Sequence, residues 1–229
     1  MRWRNSREIK TGKVIAIDGP SGSGKSSISK RLAKELGFEF LDTGALYRAI
    51  ALHLRNSGLT EQSSDAEILG ALTGATVFFK NGRVFLNGGD VSDAIRTTEA
   101  GHYASVFSAR KDVRDFLLHI QRDAALHNDI VAEGRDMTTV VFPHAWKKFY
   151  LDASEEGRAR RRYLQLKEKG MQITMEEALR DVRERDVRDS GRDIAPLKRA
   201  EDAVYIDNTN MSLDEVAAAL LEKIRRLDD

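Results

Sequence analysis

The stretch that decides the fold is VIAIDGPSGSGKS, which runs from Val14 to Ser26. Its second part matches the pattern G-x-x-x-x-G-K-[ST] and follows an apolar segment typical of a strand. Ile28, Leu32 and Leu36 then recur every four residues, as on one face of a helix. A glycine-rich turn between strand and helix brings backbone N–H groups close to a phosphate, at the positive end of the helix dipole. The stretch therefore predicts a unit that binds nucleotide phosphates.

The residues of this loop have different expected tasks. Lys25 is expected to bridge β- and γ-phosphate oxygens, and the Ser26 hydroxyl to bind Mg²⁺. A glycine-rich turn with a chance lysine is the structural alternative, and the flanking strand and helix argue against it. The residues predicted to surround the nucleotide phosphates are Gly19, Pro20, Ser21, Gly22, Ser23, Gly24, Lys25, Ser26 and Ser27.

Short apolar segments alternate with helical patterns along most of the chain. The further predicted strands are 38–41, 130–132, 149–151 and 204–206. Such alternation is typical of a parallel sheet with helices on both faces. Ser212 to Glu215 form a capping box that begins the last helix. The predicted fold class is therefore α/β, a P-loop type parallel sheet of about five strands flanked by helices.

Residues 64–128 break this alternation. Two apolar segments, 75–79 and 83–87, flank Asn81-Gly82, a dipeptide favoured in two-residue hairpin turns. Two helices, about 98–109 and 111–127, then lead back to the core. We interpret 64–128 as an inserted domain with its own antiparallel sheet, and an edge hairpin on the main sheet is the alternative. The core is then 13–63 and 129–229, after an N-terminal extension at 1–12.

The composition narrows the class of protein. The chain has 229 residues, with 37 Lys+Arg, 36 Asp+Glu and no Cys. Disulfides, thiolate nucleophiles and cysteine-ligated metals are therefore excluded, and the net charge of +1 disfavours general nucleic-acid binding. No apolar run approaches 18 residues, and the basic segment 1–10 precedes no secretory apolar region. We expect a cytoplasmic protein with neither membrane nor nucleic acid as a partner.

Arginines are dense in the second half, from Arg158 to Arg192. Acids are interleaved, and such runs are usually solvated helix faces. A kinase whose acceptor is itself a phosphate needs several cations, however, because two unit charges 4 Å apart repel by about 4 kcal/mol at an effective dielectric of 20. Guanidinium groups match phosphate oxygens in pairs. A phosphate acceptor also needs no strong general base, since its second pKa is about 6.

Two other features bear on the reaction class. The Asn-Lys-x-Asp pattern expected of a GTPase is absent from the sequence. Glu133 ends a predicted strand, where a carboxylate would assist Mg²⁺ binding, and a solvated strand-end charge is the alternative. These features favour a small-molecule kinase among P-loop proteins.

Five motifs in order resemble those of bacterial cytidylate kinases, in the P-loop nucleoside monophosphate kinase superfamily. They are Gly19–Ser27, Leu41–Arg48, Glu133–Met137, Glu184–Asp189 and Ala195–Leu197. The resemblance covers the chain from Lys13 onward. It implies a monomeric enzyme that transfers the γ-phosphoryl group of ATP to CMP or dCMP with Mg²⁺. It also implies a three-stranded nucleotide-binding insertion, at the predicted hairpin, and a helical lid at about 154–192.

The resemblance further implies roles for single residues, carried over by matching position. The acceptor phosphate would contact Thr43, Arg48, Arg135 and Arg192. The sugar would contact Arg185 and Asp189, and the catalytic groups would be Lys25, Arg161 and Arg162.

Cytosine would be read by Ser105, Arg114 and Asp136. A carboxylate accepts from the N4 amino group of cytosine, whereas uracil presents an acceptor at that position. Such a mismatch can discriminate by about 10⁴ or more. The structural alternatives are a loop cap for Asp136, a surface hydroxyl for Ser105, and an ion pair of Arg114 with Asp112 or Asp115.

Thr138 departs from the family pattern, which usually has glycine at this position. If the position needs a positive φ, a β-branched residue is strained there, and the loop that presents Asp136 would differ. The alternatives to a CMP kinase are a kinase for UMP, AMP or a phosphate-free acceptor, and a nucleotide-dependent P-loop binding module.

Overall fold

The computed structural model describes residues 12–80 and 82–226. The strands are β1 (Val14–Asp18), β2 (Glu39–Asp42), β3 (Val77–Lys80), β4 (Arg83–Leu86), β5 (Gly89–Asp90), β6 (Ile130–Glu133), β7 (Lys147–Asp152) and β8 (Val204–Asp207). The helices are α1 (Lys25–Leu36), α2 (Thr43–Asn56), α3 (Asp65–Leu72), α4 (Thr98–Phe107), α5 (Lys111–Asp123), α6 (Glu155–Glu168), α7 (Met175–Ser190) and α8 (Leu213–Arg226). A 3₁₀ turn spans Ala94–Arg96 and a π-helical turn spans Met137–Val141.

The main sheet has five parallel strands in the order β2-β6-β1-β7-β8. The central strands β1 and β6 are buried along their whole length, as expected of a parallel sheet covered on both faces. This confirms the predicted fold class. Because all five strands run the same way, their carboxyl ends lie at one edge, where ligands of open α/β sheets bind.

Helix termini explain how the chain leaves and enters this edge. Gly24 (φ 88°) precedes α1 and Gly37 (φ 70°) follows it, both in the left-handed region that favours glycine. At the last helix, the Ser212 hydroxyl accepts from the Glu215 N–H, and the Glu215 carboxylate accepts from the Ser212 N–H. The predicted capping box is therefore confirmed.

The insertion contains a separate antiparallel sheet, β3-β4-β5. The alternative of a hairpin on the edge of the main sheet is therefore wrong. Gly82 has φ 75°, as the predicted turn requires, and its neighbour Asn81 lies outside the described residues. The two following helices end at Phe107 and Asp123, earlier than predicted, because tight turns at 108–110 and 124–127 redirect the chain.

Two hydrophobic clusters lie on opposite faces of the main sheet. On one face, α1 and α8 pack with residues such as Leu32 and Leu220. On the other, α2 and the inserted segment, including α5, share one continuous cluster that includes Ile50, Val84 and Leu117. The insertion is thus anchored to the core by shared apolar burial. The predicted domain boundaries stay a prediction, and residues 1–11 of the predicted extension lie outside the described residues.

Helices α6 and α7 pack against each other beyond the carboxyl edge of the sheet. They cover the segment predicted as the lid. Among the described helices, none combines the length and the apolar character needed to cross a membrane.

Candidate active site

One cavity of about 630 Å³ opens at the carboxyl edge of the main sheet. It is bounded by the loop after β1, the start of α2, the facing sides of α4 and α5, the loop after β6, and the lid helices α6 and α7. The predicted acceptor residues all line it: Thr43, Arg48, Ser105, Arg114, Arg135, Asp136, Arg185, Asp189 and Arg192. So do Ser21, Gly22, Gly24, Lys25, Ser26, Ser27, Glu133, Arg161 and Arg162. The structure therefore brings residues that lie far apart in the chain into one site.

The phosphate-binding loop is held by its own atoms. The buried Lys25 Nζ donates to the Pro20 carbonyl oxygen at 2.6 Å and to Ser23 Oγ at 3.1 Å. Burial, with the nearby Arg135 guanidinium, lowers the pKa of Lys25 well below its ordinary value. Gly19 permits the close approach of β7, because a Cβ there would lie 2.0 Å from the Leu151 carbonyl oxygen. The loop is thus shaped before any anion arrives.

Helices α6 and α7, which cover the predicted lid, contact this loop directly. Arg158 donates to the Ser21 carbonyl oxygen at 3.1 Å and pairs with Asp186, whose other oxygen accepts from the Ser21 N–H at 3.3 Å. Arg161 donates to the Asn208 carbonyl oxygen at 2.7 Å and to Asn208 Oδ1 at 2.9 Å. Both lid helices are therefore connected to the loop or to its neighbouring strand end.

The residues predicted to bind Mg²⁺ fit that ion. Glu133 is paired in the β2–β6 register with Asp42, and both carboxylates line the cavity beside Ser26. Burial and the Asp42 carboxylate raise the pKa of Glu133, while Lys25 and the Ser26 hydroxyl oppose that shift. Carboxylate and hydroxyl oxygens next to a phosphate site are the donors that Mg²⁺ prefers. Asp42 was not among the residues predicted from the sequence to bind Mg²⁺.

The arginines predicted to bind the acceptor phosphate line the cavity rather than pointing into solvent. Arg48 pairs with Asp42 at 3.2 Å, and Arg135 donates to Asp189 at 2.7 Å. Arg192 donates to Ser108 Oγ at 3.2 Å, across the gap between α7 and α4. Because neighbouring acids and backbone hold these guanidinium groups, they are oriented in advance for an anion.

The cavity carries more positive than negative charge, although the whole chain is nearly neutral. Of the described residues that line it, eight are Lys or Arg and five are Asp or Glu. Burial and the Arg135 guanidinium lower the pKa of Arg185 to about 10. Burial alone would raise the pKa of Asp189, but Arg135 and Arg192 bring it below its ordinary value. The excess of positive charge in the cavity would therefore stabilise an anionic ligand.

A buried ion pair between Arg114 and Asp136 forms part of the cavity wall. Arg114 also donates to the Ser108 carbonyl oxygen at 3.1 Å, and its guanidinium lies 5.7 Å from the centre of the Tyr47 ring. The alternative pairing of Arg114 with Asp115 is wrong, since Asp115 pairs with Lys111. The alternative of Asp136 as a local cap is also wrong, because its side chain makes no capping bond to the described turn that follows.

Comparison with known proteins agrees with this arrangement. The family model described as "Cytidylate kinase" matches residues 15–226. The chain is 55% identical over 220 residues to a cytidylate kinase of Thermodesulfovibrio yellowstonii, covering 93% of this chain and 97% of that one. It is 48% identical over 211 residues to that of Thermosipho melanesiensis, covering 92% and 96%.

The chain belongs to the cytidylate kinase family. Among solved structures, an uncharacterised protein of Eubacterium ventriosum aligns with a TM-score of 0.50 at 13% identity, covering 93% of this chain and 98% of that one. That likeness concerns the fold alone. The sequence resemblance to bacterial cytidylate kinases is confirmed.

One departure from the cytidylate kinase pattern proves harmless. Thr138 is absent from the described residues with positive φ, so the expected strain is wrong. It lies in the π-helical turn, where its N–H and its hydroxyl both donate to Asp18. Thr43 also differs from expectation in detail, because its hydroxyl donates to the Glu133 carbonyl oxygen at 2.6 Å. It would have to rotate to donate to a phosphate.

Five residues at or next to the site were not predicted as site residues: Asp18, Asp42, Arg158, Asp186 and Asn208. The two lid residues stand inside the arginine-rich run and were indistinguishable there from a solvated face. Asn208, whose amide donates to the Ser23 carbonyl oxygen at 2.8 Å, follows a predicted strand. A polar residue directly after a strand that shares the sheet with the phosphate loop is the signal that could have found it.

Proposed function

We propose that this chain transfers the γ-phosphoryl group of ATP to CMP or dCMP, giving ADP and the nucleoside diphosphate. The observation that carries this proposal is the single cavity that joins the phosphate-binding loop, through a set of arginines, to the buried Arg114–Asp136 pair. A donor anion, an acceptor anion and a base can then occupy one continuous space. Membership of the cytidylate kinase family supports the assignment.

The donor end binds ATP by backbone and by Lys25. The N–H groups at the start of α1 and the helix dipole attract the β-phosphate. Lys25 exchanges its contacts with Pro20 and Ser23 for phosphate oxygens, and a phosphate anion restores the charge that burial disfavours. Arg161 and Arg162 of the lid line the same space and add positive charge at the transferring group.

Mg²⁺ would be held by Ser26 and Glu133, with Asp42 nearby, and when bound it neutralises charge on the β- and γ-phosphates. Burial, followed by repulsion from the Asp42 carboxylate, raises the pKa of Glu133, and a bound cation would favour the charged form of that group. The hydroxyl and carboxylates orient toward the cavity because they stand at adjacent strand ends and at the first turn of α1.

The acceptor end offsets the repulsion between two phosphate anions. Arg48, Arg135 and Arg192 surround the acceptor phosphate, and Thr43 contributes a hydroxyl once it turns from Glu133. The acceptor phosphate is largely deprotonated at neutral pH, so the protein orients it rather than removing a proton. Transfer then depends on positioning and on charge stabilisation.

Cytosine selection falls to the Arg114–Asp136 pair. Asp136 accepts from the N4 amino group, Arg114 donates to an acceptor on the same edge, and Ser105 adds a hydroxyl. Uracil places an oxygen against the carboxylate and leaves a buried group unpaired. Arg185 and Asp189 also line the cavity, and we assign them to the sugar.

The proposal includes a monomer in the cytoplasm. Both properties follow the resemblance to bacterial cytidylate kinases.

The test measures ADP release with ATP and Mg²⁺ against CMP, dCMP, UMP, AMP and a phosphate-free acceptor. We expect turnover with CMP or dCMP that exceeds the others by at least about 10². Asp136→Asn should reduce the ratio of kcat/KM for CMP to that for UMP by about 10², because an amide can donate to uracil. Preference for UMP or AMP, or an equal response to the phosphate-free acceptor, would overturn the assignment.

A further inference from the structure

Asp18 is the last residue of β1, lies directly before the phosphate-binding loop and is fully buried. Its Oδ1 accepts a hydrogen bond from the Met137 N–H at 2.9 Å. Its Oδ2 accepts from both the N–H and the hydroxyl of Thr138, each at 2.7 Å. One carboxylate thus receives three hydrogen bonds from the first two residues of the π-helical turn. Bonds to a buried, charged acceptor are among the stronger ones in proteins.

These bonds replace a cap that Asp136 would ordinarily provide. An aspartate directly before a helical turn commonly accepts from the first backbone N–H groups of that turn. Asp136 holds this position, yet its side chain makes no such bond to the described turn and pairs with Arg114 instead. Because Asp18 satisfies the N–H groups from a neighbouring strand, the Asp136 carboxylate is available to the cavity.

We propose that Asp18 and Thr138 are positioning residues that orient Asp136 toward the acceptor base. The three hydrogen bonds between them and Met137 form what we name the Asp18 strut. The inference rests on the proposed function, since it concerns the base-binding end of the same cavity. Without the strut, the exposed N–H groups of the turn recruit the Asp136 side chain as their cap and draw it away from Arg114.

The strut also relates the base-binding turn to the phosphate loop. Asp18 precedes Gly19, whose backbone packs so closely on β7 that a Cβ would lie 2.0 Å from the Leu151 carbonyl oxygen. On the neighbouring strand, the Gly134 N–H donates to the Ile17 carbonyl oxygen at 3.0 Å. The carboxylate is therefore fixed relative to the donor site, and the turn that it holds is fixed with it. The Asp18 side chain therefore adds to the backbone pairing of β1 and β6 in fixing the base-binding turn relative to the donor site.

Thr138 permits a clean test, because its hydroxyl can be removed without changing its shape. Thr138→Val keeps the β-branched side chain and loses one bond of the strut, whereas Thr138→Ser keeps that bond. Thr139→Val is the matched control: Thr139 is the next residue of the same turn, and its buried hydroxyl has no hydrogen-bond partner in the described structure.

The experiment measures KM for CMP, UMP and ATP in the full-length enzyme, together with thermal unfolding. Thr138→Val should raise KM for CMP about tenfold and lower the CMP/UMP ratio of kcat/KM by a similar factor. KM for ATP should change less than about twofold, and Thr138→Ser and Thr139→Val should stay near wild type. In the Asp136→Asn background, Thr138→Val should have no further effect on the CMP/UMP ratio, because the strut acts through Asp136.

Each other outcome has a definite meaning. A wild-type enzyme without preference for CMP overturns the proposed function, and with it the role of the strut in base selection. A selective wild-type enzyme whose Thr138→Val variant is equally selective overturns the strut alone, even if that variant unfolds at a lower temperature. Additive effects of Thr138→Val and Asp136→Asn would also overturn it.

Discussion

The phosphate-binding loop and the acceptor end of the cavity are built in opposite ways. The loop is a run of consecutive residues whose buried lysine is satisfied by two neighbours, Pro20 and Ser23. The acceptor end is assembled from α2, α4, α5, α7 and the loop after β6. Several of its buried polar atoms have no hydrogen-bond partner in the described structure: Arg48 Nε, Ser105 Oγ, Arg185 Nε and Arg192 Nη2.

The difference shows where function opposes stability. Unpaired buried polar groups cost about 1–3 kcal/mol each, so the acceptor end is less favourable without ligand than a fully paired site. The loop loses less free energy in this way, because the Pro20 carbonyl oxygen and the Ser23 hydroxyl accept hydrogen bonds from its buried lysine. Substitutions in the loop should therefore affect the chemistry of transfer. Removing an unpaired group at the acceptor end should weaken substrate binding and leave the free energy of unfolding unchanged or higher.

The largest effect is expected from Lys25→Ala. Removing the only described Lys side chain that lines the cavity deletes charge stabilisation of the transferring group, so kcat should fall by at least about 10³. The fold should persist, since the loop keeps its glycines and its backbone bonds. Steady-state ADP release measures the first result, and circular dichroism the second. Lys34→Ala, exposed on the same helix, is the control, and near-normal turnover of Lys25→Ala would contradict the loop assignment.

A second prediction concerns Asp18, which touches both regions. Burial raises the pKa of Asp18 from 3.8 to about 6, against the hydrogen bonds from Thr138 and Met137 that lower it. The folded protein therefore holds this proton more tightly than the unfolded chain does. The contribution of Asp18 to the free energy of unfolding is largest below pH 4 and falls as the pH rises to about 6, by up to about 3 kcal/mol. Above that pH it stays constant.

Urea unfolding of wild type and Asp18→Asn across pH 4 to 7 isolates this contribution, since asparagine does not titrate and other groups cancel in the difference. The free energy of unfolding of wild type minus that of the variant should decrease as the pH rises through the window. A difference that is independent of pH would show that Asp18 has an ordinary pKa. In that case the carboxylate is better solvated than its burial indicates.

The same contrast explains how much could be predicted from sequence. The strand, glycine turn and helix from Val14 to Gly37 are local, so a pattern of residues suffices to predict them. The parallel character of the sheet follows from the alternation of strands and helices. The strand order does not, because the pairing of β6 between β2 and β1 depends on packing between segments far apart in the chain.

The acceptor residues were accessible only through the family resemblance. Local reasoning favoured a cap for Asp136 and a near neighbour for Arg114, and both were wrong. The turn takes its cap from Asp18, on another strand, and Arg114 reaches across from α5 to Asp136. The choice of partner among several charged residues is a tertiary property, which spacing along one helix does not contain. Asp18 was not predicted for the same reason, because its partners lie on a distant segment of the chain.

The smallest effect is expected from Ser105→Ala. This variant tests most directly whether the acceptor end differs from the phosphate loop in its unpaired atoms. The Ser105 hydroxyl oxygen is buried in the cavity wall with no hydrogen-bond partner among the described residues, so its removal should leave the free energy of unfolding unchanged or raise it by up to about 1 kcal/mol. KM for CMP should rise about tenfold, because the base loses one hydrogen bond.

Ser108→Ala, three residues along the same segment, provides the comparison. The Ser108 hydroxyl donates to the Ser105 carbonyl oxygen and accepts from Arg192, so its loss should lower the free energy of unfolding. If Ser105→Ala destabilises the protein as much as Ser108→Ala and leaves KM for CMP unchanged, Ser105 is an ordinary structural residue. The acceptor end would then differ from the phosphate loop less than its unpaired atoms indicate.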